Sequence, residues 1–260
     1  MGGKKNILRA LAMVASVIVI AIALVAVGYL FINNRQESLK EAGRYEGENR
    51  ASKYRINTEI TDDTGRKVYC NMDILKFSGA GYKKVATAID DYYELDKITE
   101  RLFGLLDENF FDGESVTLEC TRMDEMVISI KEKHRFRTDG AGVGYQCGVT
   151  FDVKTGKVLE LNDLLKKKKE FNSVIDEFIL SQLPNTYPEI LVECENYKEI
   201  YEEDYKAKGI LPEWFLQEDG IGFSFDEGQF LAEAMGYLTV TVPYELVTSY
   251  LKPEYVRKEE

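Results

Sequence analysis

The sequence predicts an α+β fold: an N-terminal transmembrane helix followed by a mainly antiparallel sheet packed with helices. Three observations lead there. Residues 10–34, ALAMVASVIVIAIALVAVGYLFINN, carry no charge. Beyond them, short stretches alternating apolar and polar residues lie between stretches whose apolar residues recur at three and four, the periods of strand and helix. Consecutive alternating stretches are joined by turn chemistry rather than by crossovers, which favours antiparallel pairing.

The anchor is argued from length and flanks. As a helix, residues 10–34 reach about 37 Å, enough to cross a hydrocarbon core of about 30 Å with some tilt. Lys4, Lys5 and Arg9 precede it without an acidic residue, so the positive-inside rule places residues 1–9 in the cytoplasm and the remainder outside the cell. Ala26-Val27-Gly28 before Tyr29 has the small-x-small form of a signal-peptidase site, but the apolar run continues through Tyr29-Leu30-Phe31-Ile32, which favours an uncleaved anchor. No cysteine lies nearby for lipid attachment, and residues 1–9 are too few to form an intracellular effector domain.

Because Lys4, Lys5 and Arg9 are the only charges in the first 33 residues, the rest holds 30 Lys and Arg against 45 Asp and Glu, a formal charge of −15. Such a surface repels nucleic acid and attracts cationic partners, and it also keeps a domain soluble. The high content of Phe and Tyr predicts a packed core rather than extended disorder. Residues 35–52, charged and small without periodicity, read as a stalk. An N-terminal module is expected over 53–139 and a C-terminal one over 140–260.

The elements follow in order. YRINTEI and KVYCNMDILKF alternate around Asp63-Thr64-Gly65, a hairpin signal. From Tyr82, the positions Val85, Ile89, Tyr92, Leu95, Ile98, Leu102, Leu105 and Leu106 trace one long amphipathic helix. VTLEC, MVISIKEKHRF and YQCGVTFDV are three further strands. Thr155-Gly156 gives a tight turn, and Asn162-Asp163 offers N-cap oxygens to a helix with Lys166 to Lys169 in its early turns, ending before Pro184. A second helix is expected from Pro188 to Gly209, with Ile190, Leu191, Cys194, Tyr197 and Tyr201 on its inward face. WFLQEDGIGFSF reads as a hairpin with Asp219-Gly220 at its tip, GYLTVTV as a strand closed by Pro243, and Tyr244 to Leu251 as a short helix.

Cys70, Cys120 and Cys147 fall on inward positions of strands and Cys194 on a helical apolar stripe. Buried thiols and disulfides are both open readings, since an oxidising compartment permits bonding but a core of this size does not require it. A metal site is not expected, because the cysteines form no C-x-x-C pair and His134 is the one histidine. For the same reason a histidine-rich metal hydrolase is excluded, and no G-x-S-x-G elbow supports a serine hydrolase. His134, in a charged alternating strand, is expected at the surface. The Gly140 to Gly144 run reads as a hairpin loop, and Asp152 and Asp219 as turn or strand-end residues. No cofactor and no catalytic set is predicted.

Residues 150–165 and 214–251 resemble the extracytoplasmic domain of unknown function found in the sigma-V anti-sigma factor of Gram-positive bacteria and beside some peptidoglycan deacetylase domains. The signals are the strand, T-G turn, strand and L-x-D-L unit at Phe151 to Leu164, and V-P-Y-x-L at Val242 to Leu246. Residues 53–139 resemble its usual companion module. In the anti-sigma factor the region is a lysozyme receptor, so the resemblance implies a membrane-anchored binding or sensing protein for lysozyme or cell-wall material. Its candidate contacts are Phe230, Leu231, Glu233 and Met235. This chain departs from the family loop pattern, with Ala232 and Glu233 where proline and tyrosine are usual and Gly228 for an aromatic. The sigma-binding cytoplasmic segment is missing. A wall-glycan hydrolase using paired carboxylates and a structural partner of a membrane complex are the competing readings.

Overall fold

The computed structural model describes residues 50–61, 67–94, 97, 113–137 and 142–256. The expected tail, anchor and most of the stalk lie outside the described residues, as do the Asp63-Thr64-Gly65 turn, the Thr138 to Ala141 connection and most of the first helix beyond Glu94. No described helix is long and apolar enough to cross a membrane. Residues 49–260 cluster as one compact unit.

Its first sheet has five strands in the order β1-β2-β3-β4-β5. Strand β1 (Arg50–Thr61) begins within the expected stalk and pairs antiparallel with β2 (Lys67–Ser78) along its whole length. Helix α1 (Lys83–Tyr92) buries Val85 and Ile89 and ends where the Tyr93 N–H bonds Ile89 O. Strand β3 (Gly113–Met123) then pairs with β2 in parallel over Tyr69 to Met72. Tight turns alone therefore do not connect the sheet, because a helical crossover returns the chain to the end it came from. Strands β4 (Val127–Arg137) and β5 (Gly142–Asp152) continue antiparallel. Residue 140 falls between them, so this sheet draws on both expected modules.

The second sheet is β6 (Glu213–Leu216), β7 (Gly220–Phe225) and β8 (Leu238–Pro243), all antiparallel. It packs on β3, β4 and β5 through small and polar groups. Ser129 Oγ accepts the Leu216 N–H at 2.9 Å, Thr121 Oγ1 donates to Leu216 O at 2.6 Å, and Ser224 Oγ donates to Gln146 O at 3.0 Å. A Cβ on Gly148 would collide with Trp214 O and come within 2.6 Å of Phe215 Cβ, so glycine admits β6 to this distance.

Apolar burial lies on the outer faces of the sheet pair. One cluster joins α1 to Met72, Leu118, Ile128, Ile130, Val149 and Phe151. The other joins the second sheet's Ile221, Phe223, Phe225, Val240 and Val242 to α3 (Lys168–Thr186), through Phe171, Ile175, Ile179 and Leu183. Each of these fully buried side chains contributes roughly 1.5–3 kcal/mol. Layers of helix, sheet, sheet and helix result.

The helices correct several expectations. Helix α2 (Leu161–Leu164) is a single turn capped from Glu160, whose N–H bonds the Asp163 carboxylate at 3.0 Å. Helix α3 continues through Pro184. Its missing N–H leaves Leu180 O to another donor, and the Tyr197 hydroxyl approaches that oxygen at 3.5 Å. The second expected helix is broken into α4 (Ile190–Glu193) and α5 (Tyr197–Tyr201), the latter continuing as a π-helical turn, Glu202–Lys206. The break turns Leu191 outward, against its expected inward place, while Ile190, Cys194, Tyr197 and Tyr201 are buried. After β8 comes a short helix, α6 (Tyr244–Val247), which stops before the expected Leu251.

Candidate functional site

The four loop residues divide. Phe230 and Leu231 are buried in the α3 core, Phe230 edge-on to Phe225 at 5.2 Å. Glu233 and Met235, in a 3-10 turn, are exposed, Met235 by 48%. The loop is held at its start, where Gln229 Nε2 donates to Asp204 at 3.2 Å and the Gln229 side chain also pairs with the Tyr205 hydroxyl. At its exit the Tyr237 hydroxyl donates to His134 O at 2.6 Å. Two apolar anchors thus support a projecting acidic and apolar tip. Of the four expected contact residues, Phe230 and Leu231 pack into the core, and Glu233 and Met235 stand at the surface.

A second assembly lies between β4, β5 and the end of α1. Side chains two apart on a strand share a face, so Ile130, Glu132, His134 and Phe136 all point toward α1. Glu132 stands opposite Cys147 in the β4–β5 register and His134 opposite Tyr145. The imidazole stacks on the Tyr145 ring at 4.3 Å and 5°. Its Nε2 lies 2.8 Å from Glu132 Oε2, the Cys147 thiol approaches the same oxygen at 3.8 Å, and the Tyr93 hydroxyl donates to Glu132 Oε1 at 2.6 Å. Glu132 and His134 are each 5% exposed. His134 is therefore buried, not at the surface as the charged alternation suggested.

The chemistry of this assembly follows from its surroundings. Burial, then the charges of Glu132 and Glu213, push the Cys147 thiol far up, so it is protonated and unsuited to nucleophilic attack. Burial and Glu132 likewise hold the Tyr93 phenol well above its usual range. Glu132, His134 and Cys147 bring one potential metal-ligand atom each to within 4.8 Å of one another. Sequence spacing missed this grouping, because Cys147 comes from the next strand and Tyr93 from a helix. The available signal was the i, i+2 placement of Glu132 and His134 on one strand face.

None of the four cysteines is in a disulfide. Cys70 and Cys194 are buried, and Cys120 and Cys147 are half-buried. Val116 and Leu118 face the core as expected, but the strand irregularity between Cys120 and Arg122 leaves Cys120 less enclosed. Asp152 is a turn residue, its Oδ1 accepting both the N–H and the hydroxyl of Thr155 at 2.7 Å. Asp73 accepts from Arg55 Nε at 2.8 Å, Lys53 Nζ at 3.2 Å and Leu118 N at 3.2 Å. Burial works to raise its carboxyl, but these three partners outweigh burial and hold it below the usual range. Glu213 moves the other way, raised by burial and then by Asp226. A shallow depression beside α1, of about 510 Å³, is lined by Lys83, Lys84, Thr87, Asp91 and Lys154, among others.

Two stacked sheets with helices on their outer faces define the class of this protein as an α+β domain. Residues 162–245 match the family described as "Protein of unknown function (DUF3298)". The domain of unknown function expected in the C-terminal half is thus found there. Among the solved structures similar to the chain are two of DUF3298 proteins. A DUF3298 family protein from Pseudomonas aeruginosa PAO1 is 14% identical with a TM-score of 0.56, covering 81% of this chain and 98% of its own. A member of the DUF3298 family from Bacteroides fragilis NCTC 9343 is 13% identical with a TM-score of 0.52, covering 79% and 94%. At these identities the likeness is one of fold. No curated protein matches the chain.

Proposed function

We propose that the chain is a membrane-anchored extracytoplasmic binding or sensing protein of a Gram-positive bacterium, taking a basic protein such as lysozyme, or cell-wall material, on the surface around Glu233 and Met235. The observation that supports this reading is the braced loop itself. Phe230 and Leu231 sink into the core while the turn that follows them projects an acidic and an apolar side chain. The segment tied to the loop through Gln229 carries seven carboxylates, Glu189, Glu193, Glu195, Glu199, Glu202, Glu203 and Asp204, against Lys198, Lys206 and Lys208. The same segment exposes Leu191 and Val192, Val192 by 80%. Negative charge speeds encounter with a cationic partner, and exposed apolar groups at a rigid site add affinity that salt does not screen.

Calorimetric titration of residues 49–260 with a basic lysozyme at low and physiological salt tests it. Saturable binding that persists at physiological salt and weakens on Glu233→Lys and Met235→Ala is the expected result. Binding seen only at low salt, or unchanged in both variants, overturns the lysozyme reading and shifts the search to purified wall.

A second reading is favoured by Glu213 and Asp226, two carboxyls raised by burial, with the Asp226 charge adding to the rise at Glu213. A wall-glycan hydrolase would use such a pair. It requires soluble fragments to be released from purified wall and the release to stop in Glu213→Gln. Intact wall after prolonged incubation removes it.

A further inference from the structure

We propose that Glu132, His134 and Cys147 form a binding site for one divalent cation of the zinc class. The three donor atoms lie within 4.8 Å of one another. Zinc binds nitrogen and carboxylate oxygen at about 2.0–2.2 Å and thiolate at about 2.3 Å, so tetrahedral ligands stand about 3.3–3.7 Å apart. The Cys147 Sγ to Glu132 Oε2 separation, 3.8 Å, is already close to that edge. The His134 Nε2 to Oε2 separation, 2.8 Å, is a hydrogen bond, and it needs to open by about half an ångström to admit a metal.

Two donor groups converge on one carboxylate oxygen, and a single dication replaces what their hydrogen atoms do there. The charge balances, since a carboxylate and a thiolate neutralise the ion in a buried place where an unpaired charge is costly. The proton balance is equally simple. The Cys147 thiol releases its proton to solvent as sulfur joins the metal, and no oxidant or reductant takes part. The burial that raises the Cys147 thiol is offset by the metal's own charge.

The surroundings suit a ligand set. Tyr93 fixes the second carboxylate oxygen at 2.6 Å, and Tyr145 stacks on the imidazole, so both ligands are oriented from behind. Paired strands hold the donors, Glu132 directly opposite Cys147. Cys147 and Tyr145 are only half-buried, which leaves an entry path from solvent. Three protein ligands leave a fourth position for water or a small ligand, and the mixed nitrogen, sulfur and oxygen set favours zinc or cobalt over calcium or magnesium.

The test uses the purified full chain, stripped with a chelator and titrated with zinc, then with cobalt as a spectroscopic probe. A single equivalent of zinc, a thiolate-to-cobalt charge-transfer band that disappears in Cys147→Ser, and zinc protection of Cys147 from alkylation are the expected results. Tyr93→Phe weakens binding by about tenfold. Cys120→Ser and Cys194→Ser leave it unchanged. Because His134→Gln removes a buried partner, the alkylation experiment on the unaltered chain decides independently of any variant's folding. Zinc that fails to bind, or that binds without protecting Cys147, overturns the proposal and leaves a hydrogen-bonded network joining α1 to the sheet.

Discussion

The loop from Asp226 to Gly236 and the cluster around Glu132 place polar groups by opposite means. In the loop, buried aromatic and aliphatic anchors hold Glu233 and Met235 out in water, where their side chains are free to meet a partner. In the cluster, Glu132 and His134 are withdrawn from water and meet one another, with Tyr93 and Cys147 also bonded to the Glu132 carboxylate. An exposed polar residue is therefore cheap to replace and informative about binding. A buried one is expensive to replace and informative about what the cavity was built to hold.

Substitution should separate the two regions, and the largest effect is expected at Phe230. Phe230→Ala should cost about 3–5 kcal/mol in urea unfolding, whereas Met235→Ala should stay within about 0.5 kcal/mol. A Phe230→Ala protein of unaltered stability that no longer binds would turn the supposed anchor into a contact. Next comes His134→Ala, which strips Glu132 of a buried partner and Tyr145 of its stacked ring. About 3 kcal/mol is expected, and a loss below about 1 kcal/mol would show that water readily replaces the imidazole. Tyr93→Phe removes one hydroxyl from Glu132 Oε1 and should cost about 1–2 kcal/mol, read from the same unfolding curves.

The smallest effects are those of pH, and here two carboxylates differ in sign. Asp73 has its folded-state pKa lowered, so its contribution is present above the ordinary carboxylate range and is lost as pH falls toward the folded value. Asp73→Asn should therefore destabilise at neutral pH and matter less in acid. Glu213 has its folded-state pKa raised, so ionising it opposes folding as pH climbs through that value. Glu213→Gln should stabilise modestly at neutral pH and make no difference in acid. Parallel unfolding midpoints for both variants across the acid range would break the distinction.

Much of the fold was legible in alternation. Val68 through Ile74, Val116 and Leu118, and Val149 with Phe151 gave strands whose alternate residues are core-facing wherever their side chains are described. Turn chemistry at Thr155-Gly156 and Asp219-Gly220 located two reversals, Gly156 with a φ of 74°. The parallel pairing of β2 and β3 was not legible, because a hairpin and a crossover differ in what lies between strands rather than in the strands themselves. Nor was the break after Glu193, where Leu191 and Val192 carry helix-forming character but face water. For the sites, loop position 230 was found without its role. His134 was misplaced because Lys131, Lys133 and Arg135, its charged neighbours in sequence, belong to the opposite face of β4, while Glu132 bonds its ring and Tyr145 stacks on it from β5.

The contact between the sheets at Gly148 bears on how this protein tolerates change. No side chain, however small, fits there without moving the Trp214 backbone, and Gly222 is similarly pressed against the Phe215 ring. A saturation library scored for folded protein should find these two glycines nearly immutable, although neither lies in the loop or in the cluster. Ranking positions by intolerance alone would therefore light up the seam between the sheets, and the residues that meet a partner, Glu233 and Met235, would be among the most freely replaced.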